Sequence, residues 1–157
     1  VVDMLKEQEM TLSLAESCTG GAIAARIVNV SGASEVFLQG MVTYSNKAKR
    51  RCLDVSKSTL KKHGAVSEEC AAEMAKGGRK ASKTDICLSV TGIAGPGGGT
   101  KEKPVGTVFM GCSYKGCTQV REFHFQGNRA RVREQTVAHG LAFLRDCMME
   151  RADKENN

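Results

Sequence analysis

Thr91-Gly92-Ile93-Ala94-Gly95-Pro96-Gly97-Gly98-Gly99-Thr100 packs five glycines and a proline into ten residues. It follows Asp85-Ile86-Cys87-Leu88-Ser89-Val90, an apolar run that reads as a buried strand. A loop of this composition can adopt φ > 0 at several positions and bring backbone N–H groups close to a ligand. A second small-residue turn, Glu16-Ser17-Cys18-Thr19-Gly20-Gly21, lies between the strand pattern of residues 11–15 and a helical stripe of Ile23, Ala24, Ile27 and Val28. Two strand-to-loop junctions of this kind place one site at the strand ends of an α/β domain, where ligands of such sheets sit.

The rest of the chain extends that pattern. Residues 36–44 read as a strand, and the basic segment 45–52 as one helical turn. Residues 58–63 form a short helix closed by Gly64. Ser67 caps a helix running to about residue 81, which Gly77-Gly78 should weaken. Residues 105–114 and 118–125 form a hairpin around Lys115-Gly116. Asn128 caps a last helix with Val137, Leu141, Leu144 and Met148 on one face. The expected fold is a three-layer α/β/α domain with a central mixed sheet. It spans 1–150 as a single domain, and 151–157 is a fraying polar tail.

Composition narrows the function. The 157 residues carry 23 lysines and arginines against 17 acidic residues, a net charge of +6. That balance favours an anionic partner. Aromatics make up 4% and tryptophan is absent, so a stacking platform for nucleic acid is poorly supplied. Seven cysteines without a Cys-x-x-Cys, several in apolar runs, suit a reducing, cytoplasmic setting. His63, His124 and His139 are isolated and offer no zinc spacing. No metal or cofactor is expected. No apolar run is long enough to span a membrane, and the first residues do not read as a signal peptide. Val1 in place of Met is compatible with a longer parent chain.

Three segments carry candidate chemistry. Ser17 stands where a strand gives way to a helix, and the N–H groups of Cys18, Thr19, Gly20 and Gly21 are donors for an anion or oxyanion. The same residues also suit a plain helix N-cap. Tyr44, Lys47 and Lys49 follow a strand end. A lysine can act as base when burial and neighbouring positive charge depress its pKa, whereas spacing alone favours a solvated basic turn. Arg129 and Arg133, four apart, share a face at the start of the last helix and suit phosphate or carboxylate. The glycine loop lacks the Gly-Lys-Ser/Thr ending of a P-loop. A Gly-x-Gly-x-x-Gly and a Tyr-x-x-x-Lys pattern are also missing, which disfavours nucleoside triphosphatases and nicotinamide-dependent reductases.

Four segments in order resemble the CinA C-terminal-domain family: Ala15-Glu16-Ser17-Cys18-Thr19-Gly20-Gly21, Val42-Thr43-Tyr44-Ser45-Asn46, the loop Thr91 to Gly98, and Pro104-Val105-Gly106-Thr107-Val108. The resemblance runs from about residue 11 to residue 145. It implies a three-layer α/β fold, a homodimer and, in stand-alone members, deamidation of nicotinamide mononucleotide to nicotinate mononucleotide and ammonia. It further implies Ser17 as nucleophile, Lys49 as base and Tyr44 assisting. A small-molecule pyridine nucleotide would contact Cys18, Thr19, Gly20, Gly21, Gly92, Ala94, Gly95, Arg129 and Arg133. Arg129 and Arg133 match the family's Gly-Asp-Arg-x-x-Val-Arg motif, with Asn128 in the aspartate position. The alternative expectation is a catalytically silent nucleotide-binding or protein-interaction module.

Overall fold

The computed structural model describes residues 1–156. In chain order the elements are α1 (Val2–Glu7), β1 (Leu12–Glu16), α2 (Ala22–Val28), β2 (Phe37–Val42), α3 (Asn46–Leu53), α4 (Lys57–His63), α5 (Glu68–Ser82), β3 (Ile86–Gly92), β4 (Thr107–Tyr114), β5 (Cys117–His124) and α6 (Arg129–Glu155). A 3₁₀ turn, Ala33–Glu35, precedes β2. The five strands form one mixed sheet in the order β2-β1-β3-β4-β5. β1 runs parallel to both β2 and β3, and β4 and β5 are antiparallel to their neighbours. Helices cover both faces, as the mixed α/β reading requires.

Period-2 alternation separates the two faces. Leu12 and Leu14 of β1, Leu88 and Val90 of β3, and Val108 and Met110 of β4 join Ile23, Ile27, Val132, Phe143 and Leu144 in one core, under α2 and α6. The opposite face is built from small residues. Ala15 and Cys87 pack with Cys70 and Met74 of α5 and Leu53 of α3. Ser89 Oγ donates to the Ala71 carbonyl at 2.7 Å, and Ser13 and Thr84 share a hydroxyl bond at 2.7 Å. α5 therefore lies close on the sheet. The Gly77-Gly78 pair, expected to weaken α5, is what permits this approach. A Cβ on Gly77 would stand 1.7 Å from the Leu53 carbonyl oxygen, and one on Gly78 would stand 2.6 Å from Cys87 Sγ.

Two further elements differ from expectation. The basic segment after Tyr44 is a full helix of eight residues, capped by the Ser45 side chain on the Ala48 N–H. Its inward positions are Lys49 and Leu53, so a lysine stands where the helical pattern calls for an apolar residue. α6 continues to Glu155, into the stretch read as a polar tail, because Arg151 anchors it. The Arg151 guanidinium reaches Gln8 Oε1 at 3.3 Å and Met10 Sδ at 3.2 Å, and pairs with Glu155 at 2.8 Å. No helix among the described residues is long and apolar enough to cross a membrane.

Candidate functional site

Because β1, β2 and β3 are parallel, their carboxyl ends meet at one edge of the sheet. Ser17 leaves β1 there, Thr43 and Tyr44 leave β2, and the glycine loop leaves β3. The first turn of α3 and the start of α6 approach the same edge. Between them lies a cleft of about 290 Å³, lined among others by Ser17, Cys18, Tyr44, Lys49, Gly95 and Arg129.

Lys49 is 1% exposed and Ser17 8% exposed. Lys49 Nζ donates to the Thr43 carbonyl at 2.8 Å and is hydrogen-bonded to Ser17 Oγ at 2.9 Å. Burial lowers the Lys49 pKa from its ordinary value, and ionised Cys70 and Cys18 would oppose that. Both thiols are themselves pushed up to about 11 by burial. They are neutral near pH 7, so the burial effect on Lys49 stands unopposed there. A serine hydroxyl beside an amine with a depressed pKa is an activated-nucleophile geometry.

The turn after Ser17 is locked by two residues. Glu16, buried at the end of β1, accepts from Thr19 Oγ1 at 2.6 Å, Ile23 N at 3.0 Å and Ala24 N at 3.1 Å. A buried carboxylate thus fills the start of α2 and satisfies its free donors. Arg133 reaches in from α6, donating from Nε to the Cys18 carbonyl at 3.1 Å and from Nη2 to the Thr19 carbonyl at 2.9 Å. The expected cradle is correspondingly smaller. The Gly20 N–H is taken by the Ser17 carbonyl at 3.0 Å, whereas the Cys18 N–H meets no main-chain acceptor among the described residues. Thr19, Gly20 and Gly21 do not line the cleft, and Arg133 holds backbone carbonyls behind it.

Arg129 ties the rim together. Its Nη1 donates to the Gly95 carbonyl at 2.8 Å and its Nη2 to Tyr44 Oη at 3.0 Å. Gly95 sits at φ +85°, and a Cβ there would stand 2.5 Å from Val105 Cγ1, so glycine is required. Tyr44 lines the same cleft as Ser17 and Lys49, but it is 62% exposed and its phenol accepts from Arg129. Gly92 and Ala94 line the cleft wall as the glycine loop predicts. Sequence reasoning passed over Glu16, whose only signal was a carboxylate at the end of a buried strand. It also passed over the Thr43 carbonyl, which no side-chain pattern could reveal.

The fold and site define an α/β domain with a serine and a buried lysine hydrogen-bonded at the carboxyl ends of its parallel strands. Residues 1–148 match the CinA C-terminal domain. The chain belongs to that family.

A putative competence-damage inducible protein of Clostridium perfringens strain SM101 is 54% identical over 142 residues, covering 90% of this chain and 34% of that protein. A CinA-like protein of Kosmotoga olearia is 50% identical over 149 residues, covering 95% of this chain and 36% of its own length. The chain therefore spans about a third of the length of these relatives. Among solved structures, a CinA superfamily protein of Klebsiella pneumoniae superposes with a TM-score of 0.91 at 34% identity, covering 94% of this chain and 92% of that one. The competence/damage inducible protein CihA of Agrobacterium tumefaciens gives 0.89 at 40% identity, covering 91% and 88%.

Proposed function

We propose that the domain is a cofactor-free amidohydrolase that converts nicotinamide mononucleotide and water to nicotinate mononucleotide and ammonia. The observation that carries this reading is the 2.9 Å contact between Ser17 Oγ and the Nζ of an almost fully buried Lys49. Neutral Lys49 takes the Ser17 proton as Oγ bonds to the carboxamide carbon, which the pyridinium ring makes electrophilic. The oxyanion accepts from the Cys18 N–H, a class of donor worth about 10²–10³ in rate. Lys49 then passes its proton to the departing nitrogen, the C–N bond breaks and ammonia leaves. Water, deprotonated by the same amine, hydrolyses the ester and restores Ser17.

Tyr44 assists from the rim, with its phenol held by Arg129. Arg133 keeps the Cys18 and Thr19 peptides in place. In this reading the working form is a homodimer in the cytoplasm, returning pyridine nucleotide to NAD synthesis.

Metal-free protein supplied with the mononucleotide is expected to release ammonia. Ser17→Ala and Lys49→Met are each expected to lower kcat at least about 10³-fold while retaining the native circular dichroism spectrum. Undiminished turnover in Ser17→Ala would falsify the covalent route. Thermal stabilisation by the mononucleotide without ammonia would instead mark a silent binding module.

A further inference from the structure

Residues 45–64 hold seven lysines and arginines and a single acid, Asp54, so this segment alone carries a net +6. That equals the charge of the whole chain, and the remaining residues sum to zero. One of these seven basic residues, Lys49, is turned into the cleft. The other six, Lys47, Arg50, Arg51, Lys57, Lys61 and Lys62, are all exposed. None of the six enters an ion pair among the described residues. Four of them, Lys47, Arg50, Arg51 and Lys57, line a shallow hollow of about 320 Å³ in which Asp54 is the only acid.

The nearby acids of α5 are turned to other contacts: Glu73 accepts from the Ser56 N–H and the Thr59 hydroxyl, and Glu69 lies 3.5 Å from His63 Nδ1. The charged segment also borders the candidate site at both ends. Tyr44 and Asn46 line the cleft at its start, and Ala65 and Val66 line it at its end. At 1.5 Å per residue, an eight-residue helix such as α3 is about 12 Å long, comparable with the Debye length at physiological salt.

We infer that the α3–α4 face is an electrostatic guide that concentrates net-anionic substrate at the mouth of the Ser17–Lys49 cleft and disfavours cationic analogues. The inference rests on the proposed amidohydrolase site and names the charge class it admits. A potential of this kind raises the local concentration of an anion without touching the reacting atoms, so it acts on KM and leaves kcat alone. The mononucleotide is a net anion, because its phosphate outweighs the pyridinium. The nucleoside that lacks the phosphate is a net cation. The two therefore feel the face with opposite sign.

The test measures steady-state kinetics of both compounds from about 20 mM to about 500 mM KCl, a range that takes the Debye length from well above the size of the face to well below it. The wild-type protein is compared with Lys47→Gln/Arg50→Gln/Arg51→Gln and with the control Arg26→Gln/Arg145→Gln/Lys154→Gln, which removes equal charge elsewhere. For the wild type, salt is expected to raise KM for the mononucleotide about fivefold or more and to lower it for the nucleoside. The α3 variant is expected to start near the high-salt KM, to lose most of the salt response and to keep kcat within about twofold. The control variant is expected to retain the full response.

Turnover with identical salt responses in both variants overturns the guide and leaves the amidohydrolase standing. If no ammonia forms, equilibrium binding of the mononucleotide across the same salt series decides the matter. The same ratio between variants keeps the guide without the chemistry, and salt-independent or absent binding overturns it.

Discussion

A single amine sets the behaviour of the candidate site. Lys49 is buried with two hydrogen-bond partners among the described residues, and burial lowers its pKa. A general base must be neutral to accept a proton, so kcat/KM for ammonia release is expected to rise with pH through the depressed Lys49 value. Stability carries the same signature. Between the folded-state value and 10.5, the unfolded chain binds the proton that the folded chain has lost, so stability increases as pH rises across that window. Below the folded-state value the burial cost is present in full. Lys49→Met removes the titration. Urea unfolding from neutral to alkaline pH should show this variant gaining on the wild type as pH falls, by at most about 1.4 kcal/mol per pH unit inside the window. Parallel curves for the two proteins would mean that Lys49 is charged in the folded state, and the base assignment would fail with it.

The elements are held by contacts that intrinsic propensity does not describe. α5 carries two adjacent glycines in its C-terminal half, and helix propensity alone says that alanine at either position would help by up to about 1 kcal/mol. The packing says the reverse, because a methyl on Gly77 would collide with the Leu53 main chain at the end of α3. α3 is the helix that carries Lys49, so the α3–α5 contact also sets the depth of this buried amine. Gly77→Ala is therefore expected to destabilise by about 2 kcal/mol, the cost of forcing an extra methyl into a packed contact. It should also reduce ammonia release as α3 shifts. Gly97→Ala, on the open side of the glycine loop with nothing within 4 Å of the added atom, is expected to leave the melting temperature unchanged. Equal melting temperatures for both variants would show that α3 moves aside at no cost. The short α2 follows the same logic, since the buried Glu16 carboxylate organises its first turn from the neighbouring strand.

At the scale of the whole molecule, the sequence discloses what is periodic and conceals what is long-range. Alternating strands, the Ser67 and Asn128 caps and the glycine loop each leave a local pattern, so the α/β layering and the meeting of Ser17 with the glycine loop are legible before any coordinates. α3 is misread because Lys49 occupies the position where its apolar stripe should begin. The bonds that Arg133 makes are hidden from the sequence because its partners are the Cys18 and Thr19 carbonyls, 115 and 114 residues away, and carbonyls carry no sequence signal. The end of the chain is misread for a related reason. Residues 151–157 are polar and look free, yet Arg151 closes the molecule by joining α6 to Gln8 and Met10 at the edge opposite the cleft. The Arg151 side chain is only 25% exposed, so these bonds are partly shielded from water. Arg151→Ala is accordingly expected to lose about 1 kcal/mol, or about 3 °C in melting temperature, through the loss of partly buried hydrogen bonds. Lys154→Ala, one helical turn further on, should lose nothing measurable. Neither change should move KM or kcat, since Met10 enters β1 at the edge where Ser17 does not leave it. A differential scanning measurement in which Arg151→Ala melts with the wild type would restore the reading of this segment as an unanchored tail.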